Sequence, residues 1–299
     1  MIQKTDRDLT VVIPTKDRPQ LLAAAVASAL ATIPEGAEVL VVDDRSGTPV
    51  TGALLSITDA RLRIIPSEAA PGASGTRNWG VAQARGTRIL FLDDDDLLIP
   101  GYPAWLLEQR HDYGFAPIQR FQGLAATAAA PFPGGTGQAI ADVRPFRRQI
   151  AGLGCGFWID RDAFLSLGGL AEDIRVNEDT EFSIRLLRAG LHGLRAPAEA
   201  VMVRQHGDWA EERGHLTASA KAGERAACFG LILSRHEDWL LTRPDAAKHL
   251  LQRQLKLLAQ AGDRAGARAV LASRLARPHR LSLWLYHRGE QLSARLRGR

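Results

Sequence analysis

Cysteine and long apolar runs are nearly missing from this 299-residue sequence. The two cysteines, Cys155 and Cys228, lie far apart and form neither a CxxC pair nor a metal-ligand spacing, so we expect reduced thiols. No run of about 18 apolar residues occurs, which argues against a transmembrane helix. Residues 1–10 are polar and lack the apolar core of an export signal, so we expect a cytoplasmic protein.

Glycine is absent from the first strand-to-helix turn, which reads TKDRP over residues 15–19. A nucleotidyl- or phosphotransferase would carry a glycine-rich, lysine-bearing phosphate loop at this point. The turn therefore argues against that enzyme class, which we keep as an alternative.

Charge is unevenly distributed along the chain. Residues 216–299 contain 16 Lys and Arg against 6 Asp and Glu, a net charge of +10, which leaves residues 1–215 at −5. We therefore expect two parts, a catalytic domain over 1–215 and a basic helical extension over 216–299. Such an extension suits an anionic membrane surface, although a solvated helical face explains the charge equally well. No recognised nucleic-acid module accompanies the charge, so we expect no nucleic-acid partner.

Strand and helix patterns alternate through the first hundred residues. Because apolar strands with intervening helices are typical of a parallel sheet covered on both faces, we predict an α/β fold. The predicted strands are 9–13, 38–42, 61–65 and 88–92, with helices at 19–31 and 73–85. Further along, we predict strands at 153–159 and 201–204, helices at 177–189, 217–235, 245–260 and 263–277, and a turn-rich loop at 131–137.

Carboxylates follow three of these strands, in the segments 15–18, 43–46 and 93–96. Ligands of open α/β sheets bind beyond the carboxyl ends of the strands, so we expect these side chains to meet at one edge. Crowded like charges need neutralisation, and a divalent cation prefers carboxylate oxygens. A charged turn after a strand is the alternative for 93–96 taken alone.

Four motifs resemble glycosyltransferase family 2, whose members have a GT-A fold. The resemblance covers about residues 9–206 and is carried by VVIPTKDRP (11–19), EVLVVDDRS (38–46), GASGTRNWGVAQARGTRILFLDDDDLLIP (72–100) and NEDTEFSIRLLRAG (177–190). It implies a Rossmann-like, mostly parallel central sheet flanked by helices, followed by the helical extension. One departure is Lys16-Asp17, where the family usually has Tyr-Asn, so an aromatic ring for base stacking is missing.

The resemblance implies a donor-nucleotide site with a metal beside it. Asp44 matches the carboxylate that reads the base, which favours a UDP-sugar, with a dTDP-sugar next. Asp95 matches the metal ligand of the DxD motif, together with Asp93, and the metal would be Mn²⁺ or Mg²⁺; Asp96 is expected to cap the following turn. The implied donor-binding residues are Pro14, Thr15, Asp17, Arg18, Asp44, Arg77, Asn78, Asp93 and Asp94.

Four further residues have implied roles with open alternatives. Glu178-Asp179 matches the ED motif, with Asp179 as catalytic base and Glu178 on the acceptor side, whereas acids at a helix start also complement the helix dipole. Trp158 could stack on a sugar ring or belong to the core. His206 follows the last predicted strand and is either a metal or diphosphate ligand or a surface histidine.

The resemblance thus implies an inverting, metal-assisted glycosyltransferase of cell-surface glycan or glycolipid synthesis. Its acceptor would be a glycan, a glycolipid or a small molecule. Segment 279–299, rich in Leu, Trp and Arg, is expected either to pack in the protein or in a homodimer, or to touch the inner membrane face peripherally. The alternatives are a degenerate nucleotide-sugar-binding scaffold, a metal-dependent nucleotidyltransferase and a receiver-like phosphoacceptor, which is shorter and leaves Glu178-Asp179 unexplained.

Overall fold

The structure, a computed structural model, describes residues 8–123, 129–154, 156–205 and 220–297. The chain groups into two compact units. The first unit is formed by Met1–Val143, Ala151–Glu172 and Arg185–Gly207. The second unit is formed by Arg144–Ile150, Asp173–Ile184 and Asp208–Arg299.

The strands of the described residues all lie in the first unit. They are β1 Leu9–Thr15, β2 Glu38–Asp43, β3 Leu62–Pro66, β4 Arg88–Phe91, β5 Leu97–Leu98, β6 Tyr113–Phe115, β7 Ile118–Gln122, β8 Gln138–Ala139, β9 Trp158–Asp160, β10 Gly193–Arg195 and β11 Val201–Gln205.

The α-helices of the described residues occupy both units. They are α1 Pro19–Leu30, α2 Ala73–Gln83, α3 Tyr102–Glu108, α4 Arg161–Ser166, α5 Glu178–Arg188, α6 Ala222–Arg235, α7 Glu237–Thr242, α8 Pro244–Gln260, α9 Arg264–Ala272 and α10 Arg280–Arg297.

An eight-stranded sheet forms the centre of the first unit, with the order β3-β2-β1-β4-β9-β6-β10-β8. β1 pairs in parallel with β2 and β4, and β2 pairs in parallel with β3. β9 runs antiparallel to β4 and β6, and β8 runs antiparallel to β10. The predicted mostly parallel α/β sheet is therefore confirmed. A second sheet has the order β5-β11-β7.

Burial on both faces explains why β1, β2 and β4 are continuous apolar strands. Val11, Val12 and Ile13 are fully buried, as are the apolar residues of β2 and β4. Helix α2 lies very close to this sheet, because a Cβ atom at Gly80 would lie 2.6 Å from Val12 Cγ1. The apolar strands and the small Gly80 together allow α2 to pack closely on the sheet. This packing positions Arg77 and Asn78, which α2 carries.

Most predicted elements appear within one to three residues of their expected bounds. The strand predicted at 153–159 is an exception, since only Trp158–Asp160 forms β9 and it runs antiparallel. The helix predicted at 263–277 ends at Ala272, where Ser273 turns to an extended conformation. Residues 217–219 of the predicted helix 217–235 lie outside the described part, and α6 begins at Ala222.

The second unit is built around helix α8, which packs against α6, α9 and α10. Its buried face includes Leu250, Leu251 and Leu255. Spacing of buried residues by three or four positions is that of an amphipathic helix with one face in a core. Within the described residues, no helix has both the length and the apolar composition required to cross a bilayer.

Candidate active site

The carboxyl ends of β1, β2 and β4 bring three polar segments together, as the strand pattern predicted. The Asp44 amide donates to the Thr15 carbonyl oxygen at 2.9 Å. The Thr15 hydroxyl in turn donates to Asp94 Oδ2 at 2.7 Å. The segments after these strands therefore form one continuous edge, where open α/β sheets bind ligands.

Four successive carboxylates, Asp93 to Asp96, form what we call the acid cluster. Arg18 Nη1 donates to Asp94 Oδ1 at 3.1 Å and to Asp95 Oδ2 at 3.0 Å. Arg77 Nη2 donates to Asp93 Oδ1 at 2.6 Å. Residues that were predicted to touch the donor thus neutralise part of the cluster in the structure.

Asp96 does not cap the turn that follows it, contrary to the prediction. It is buried, and its Oδ1 accepts from the Arg204 backbone amide of β11 at 2.9 Å. Arg204 Nε also donates to the Asp95 carbonyl oxygen at 2.9 Å. No local sequence pattern indicates this role of Arg204, because the pairing of β5 with β11 is a long-range feature.

Burial and mutual repulsion change the protonation of the cluster. Burial raises the pKa of Asp94 to about 6, despite the attraction of Arg18. Burial, with the neighbouring Asp93 and Asp95, raises the pKa of Asp96 to about 9. The metal-free cluster therefore holds a proton at neutral pH, which a bound cation would replace.

A hard divalent cation fits this cluster. One carboxylate oxygen from each of Asp93, Asp95 and Asp96 lies within 4.8 Å of the other two. Oxygen-only ligands are those preferred by Mg²⁺ and Mn²⁺. Gly154 leaves the space for Asp93, because a Cβ atom there would lie 2.6 Å from Asp93 Oδ2. Asp96 joins the predicted pair of ligands, while His206 lies outside the described residues.

Asp44 is buried beside the cluster, and several donors surround its carboxylate. The Gly72 amide donates to Oδ2 at 3.0 Å, and Arg45 Nη1 donates to Oδ1 at 3.2 Å. Lys16 Nζ lies 3.7 Å from Oδ2. These interactions fix the orientation of Asp44 at the edge, next to the partly buried Pro14.

Asp17 and Asn78 hold neighbouring segments in place. Asp17 Oδ1 accepts from the Gly47 amide at 2.7 Å, which ties the first motif to the second. Both ends of the Asn78 amide are engaged, since Nδ2 donates to the Leu170 carbonyl at 3.0 Å and Oδ1 accepts from the Leu170 amide at 2.7 Å. The nucleotide contacts expected of these two residues stay predictions.

Trp158 belongs to the core and not to an acceptor surface, which corrects its predicted sugar-stacking role. Its side chain is fully buried, and the Arg88 guanidinium lies 4.2 Å from the ring centroid. Stacking requires an accessible ring face, and Trp158 has none. Trp105 is also buried.

Glu178 and Asp179 begin helix α5, in a segment that groups with the second unit. Asp179 Oδ1 accepts from the Thr180 amide at 2.6 Å, and this amide also donates to the Asn177 carbonyl oxygen at 3.1 Å. The preceding Asn177 has a φ of 67°. Within the described residues, the other non-glycine positive-φ positions are Asp17 and Arg45, so all three lie in the motifs.

The chain is similar in sequence to a known family and to individual bacterial proteins. Residues 10–116 match the family model for glycosyl transferase family 2. The succinoglycan biosynthesis protein ExoU of Rhizobium meliloti (strain 1021) is 36% identical in an alignment 203 residues long, which covers 61% of this chain and 58% of ExoU. An Escherichia coli protein named UDP-Glc:alpha-D-GlcNAc-diphosphoundecaprenol beta-1,3-glucosyltransferase is 32% identical over 91 residues, 30% of this chain and 36% of that protein.

Solved structures share the fold over nearly the whole chain. Staphylococcus aureus TarS, residues 1–349, in complex with UDP-GlcNAc aligns with a TM-score of 0.61 and 17% identity, covering 96% of this chain and 89% of TarS. The fold of this chain is therefore the GT-A fold that TarS has. The match of residues 10–116 to the family-2 model and the similarity to ExoU agree with the motif resemblance. The chain spans 58% of the length of ExoU and 36% of the length of the E. coli relative.

Proposed function

We propose that this chain transfers a sugar from a nucleotide diphosphate donor to an acceptor hydroxyl, with inversion at the anomeric carbon. The observation that carries the proposal is the acid cluster at the carboxyl edge of the sheet, with Arg18 and Arg77 bonded to it. Both arginines offer guanidinium donors that match phosphate oxygens. We propose the catalytic domain as residues 1–215.

The donor we propose is a UDP-sugar, with a dTDP-sugar as the second choice. Asp44 has a fixed orientation and accepts hydrogen bonds, so it can accept the imide N–H that uracil and thymine share. TarS, which shares the fold, was crystallised with UDP-GlcNAc. Pro14, Thr15, Asp17 and Asn78 are proposed to shape the donor site around the nucleotide.

Asp93, Asp95 and Asp96 would hold Mn²⁺ or Mg²⁺, with His206 as a fourth candidate ligand. The ion would supply Lewis-acid stabilisation of the departing diphosphate. On the protein side, Arg18 and Arg77 are placed to exchange their carboxylate partners for diphosphate oxygens as the donor binds.

Asp179 is the proposed general base. In a single displacement, the acceptor oxygen bonds to the anomeric carbon, the bond to the diphosphate oxygen breaks, and the acceptor proton passes to the Asp179 carboxylate. One displacement inverts the configuration. Glu178 is proposed to contact the acceptor. The alternative is that Asp179 only complements the dipole of helix α5.

The acceptor we propose is a glycan or a lipid-linked saccharide, with a small molecule as the remaining option. ExoU is named for succinoglycan biosynthesis, and the name of the E. coli relative specifies a diphosphoundecaprenol acceptor. Helix α10 would bring the chain to the cytoplasmic membrane face, because Leu281, Trp284, Leu285, Leu292 and Leu296 are exposed along one of its sides. An exposed apolar stripe with nearby arginines suits an anionic interface.

A transfer assay tests this proposal directly. Purified protein is mixed with UDP-, dTDP- or GDP-sugars, Mn²⁺ and a lipid-linked or saccharide acceptor, and nucleotide products are separated. We expect nucleoside diphosphate release from one donor, lost in EDTA and reduced at least about 10²-fold by Asp179→Asn. Asp162→Asn is the matched control, because Asp162 is an exposed acid in the first turn of α4.

The products also separate the alternative functions. Release of pyrophosphate instead of a nucleoside diphosphate would indicate a nucleotidyltransferase. Donor binding without turnover on any acceptor would indicate a scaffold. If Asp179→Asn and Asp162→Asn lose the same amount of transfer activity, Asp179 only complements the helix dipole, and its assignment as the base is contradicted.

A further inference from the structure

A buried glutamate–histidine pair lies in the second unit, outside the roles assigned so far. Glu181 is 1% exposed and His236 is 3% exposed. His236 Nε2 lies 3.1 Å from Glu181 Oε1, a hydrogen-bond distance. Burial of two polar side chains is costly unless they satisfy each other, so this pair forms a specific link between α5 and the helices that follow residue 220.

Arg235 adds a second link between the same two segments. Its Nη1 lies 3.6 Å from Glu181 Oε1, and its Nη2 donates to Asp173 Oδ2 at 2.5 Å. The hydrogen bond that Arg235 donates to Asp173 raises the pKa of Arg235, which keeps this guanidinium charged. Two consecutive residues, 235 and 236, therefore bind the segment 173–181 at two points.

The backbone around His236 gives this anchor a fixed position. His236 lies at the junction where α6 ends and α7 begins. Its amide donates to the Ile232 carbonyl at 3.2 Å, and its carbonyl accepts from the Leu240 amide at 2.9 Å. Both Ile232 and Leu240 are fully buried. The imidazole is thus presented from a packed helix junction and not from a loose loop.

Glu181 lies two residues after Asp179 on helix α5. At 3.6 residues per turn, two positions are about 200° apart, so these carboxylates project from nearly opposite sides of the helix. A bond that holds Glu181 therefore also limits rotation and sliding of the first turn of α5.

We infer that His236, acting through Glu181, is a positioning residue for Asp179. This inference rests on the proposed function, in which Asp179 accepts the acceptor's proton. His236 of the basic helical segment then holds the first turns of the helix that carries the base. A base is effective only within hydrogen-bond reach of the proton, and a displacement of about 1 Å can reduce turnover about 10²-fold.

Three variants of the full chain test the inference. His236→Leu removes the donor, His236→Gln retains an amide N–H near the Nε2 position, and His287→Leu is the matched control. His287 is a buried histidine of the same unit, 5% exposed, and its Nδ1 lies 3.1 Å from the Leu255 carbonyl oxygen. Its bond joins α10 to α8 and does not involve α5.

Hydrogen exchange and kinetics provide independent measurements. We expect faster amide exchange over residues 177–184 in His236→Leu and unchanged exchange there in His287→Leu. We also expect kcat to fall about 10- to 100-fold in His236→Leu, with the donor KM changed less than about 2-fold. His236→Gln should restore kcat to within about 3-fold of wild type. If His236→Leu does not fold, E181L/H236L removes both polar groups and supplies the same measurements.

Each outcome decides the inference separately from the proposed function. Unchanged exchange over 177–184 in His236→Leu overturns the anchor, whatever the activity. Increased exchange with unchanged kcat, or equal kcat losses in His236→Leu and His287→Leu, overturns the positioning role. A wild-type protein that transfers no sugar contradicts the proposed function, and the exchange comparison still decides whether His236 holds α5.

Discussion

At the scale of single residues, the chain balances the acid cluster with arginines from three separate segments. Arg18 follows β1, Arg77 lies on α2 and Arg204 lies on β11. Arg18 and Arg77 bind carboxylate oxygens, whereas Arg204 binds the Asp95 carbonyl and gives its backbone amide to Asp96. Side-chain arginines can exchange partners when a ligand binds, and a backbone amide cannot. The cluster therefore combines replaceable and permanent hydrogen-bond donors.

The raised pKa values predict that the metal-free protein loses stability as pH rises. A carboxyl with a raised folded pKa stabilises the fold below its unfolded pKa, and this contribution disappears as pH rises through the folded pKa. For Asp94, with a pKa of about 6, the loss between about pH 4 and 6 is on the order of 3 kcal/mol. Asp96, with a pKa of about 9, extends the loss to higher pH.

Denaturant unfolding in EDTA from pH 4 to 9 measures this effect. The difference in unfolding free energy between wild type and Asp94→Asn should decline with rising pH, because only the wild type must ionise Asp94. Asp59→Asn is the control, since hydrogen bonds from Arg61 lower the pKa of Asp59 to about 2. If the difference in unfolding free energy between wild type and Asp94→Asn stays constant or rises with pH, burial does not raise the pKa of Asp94.

Gly154→Ala should impair metal binding while leaving the fold intact. The new Cβ atom would lie 2.6 Å from Asp93 Oδ2, so this carboxylate must shift. We expect Mn²⁺ affinity, measured by calorimetry, to fall about 10-fold or more, the size of effect seen when a ligand's support is lost. Gly52→Ala should bind Mn²⁺ like wild type, because no atom lies within 4 Å of its added Cβ. Unchanged affinity in Gly154→Ala would remove Asp93 from the metal site.

At the scale of elements, local sequence patterns predicted the strands and helices well and their partners poorly. Apolar runs bounded by proline, glycine or aspartate give β1, β2 and β4, because these strands are buried on both faces. The predicted strand at 153–159 shortened to β9, since its pairing with β4 and β6 depends on residues far away in sequence. The same limit hid the burial of Trp158, which Arg88 of β4 covers.

Helix α10 provides a test at this scale. Leu281 is 72% exposed, Leu285 57% and Leu292 61%, and these positions share one side of the helix. The segment 216–299 carries a net charge of +10, so two copies would repel and an anionic lipid surface would attract. We expect binding to vesicles that contain phosphatidylserine, weakened by salt, and reduced about 10-fold or more in the double variant Leu285→Gln, Leu292→Gln.

Leu55→Gln is the control for this vesicle experiment, because Leu55 is 79% exposed and lies elsewhere, in the first unit. Co-sedimentation measures lipid binding, and light scattering measures the oligomeric state. If the double variant changes the oligomeric state and leaves lipid binding unaltered, the α10 stripe is a homodimer surface. If neither property changes, the proposed membrane contact is wrong.

At the scale of the whole molecule, four short motifs predicted the α/β fold and pointed to the family whose model matches residues 10–116. The meeting of the three polar segments at one sheet edge also followed, because the parallel strand order places the ends of β1, β2 and β4 side by side. The roles of Arg204, Gly154 and the Glu181–His236 pair could not be predicted. Each depends on tertiary packing that joins segments at least 50 residues apart, and no local pattern reports it.

We propose that the acid cluster forms a metal-assisted nucleotide diphosphate site, and calorimetric titration with UDP tests this role without an acceptor. We expect one UDP to bind per chain in Mn²⁺, with affinity reduced at least about 10-fold in EDTA and in Asp95→Asn, while Asp59→Asn binds like wild type. Absence of binding by UDP, dTDP and GDP, or UDP binding that is unchanged by EDTA and Asp95→Asn, would contradict the account.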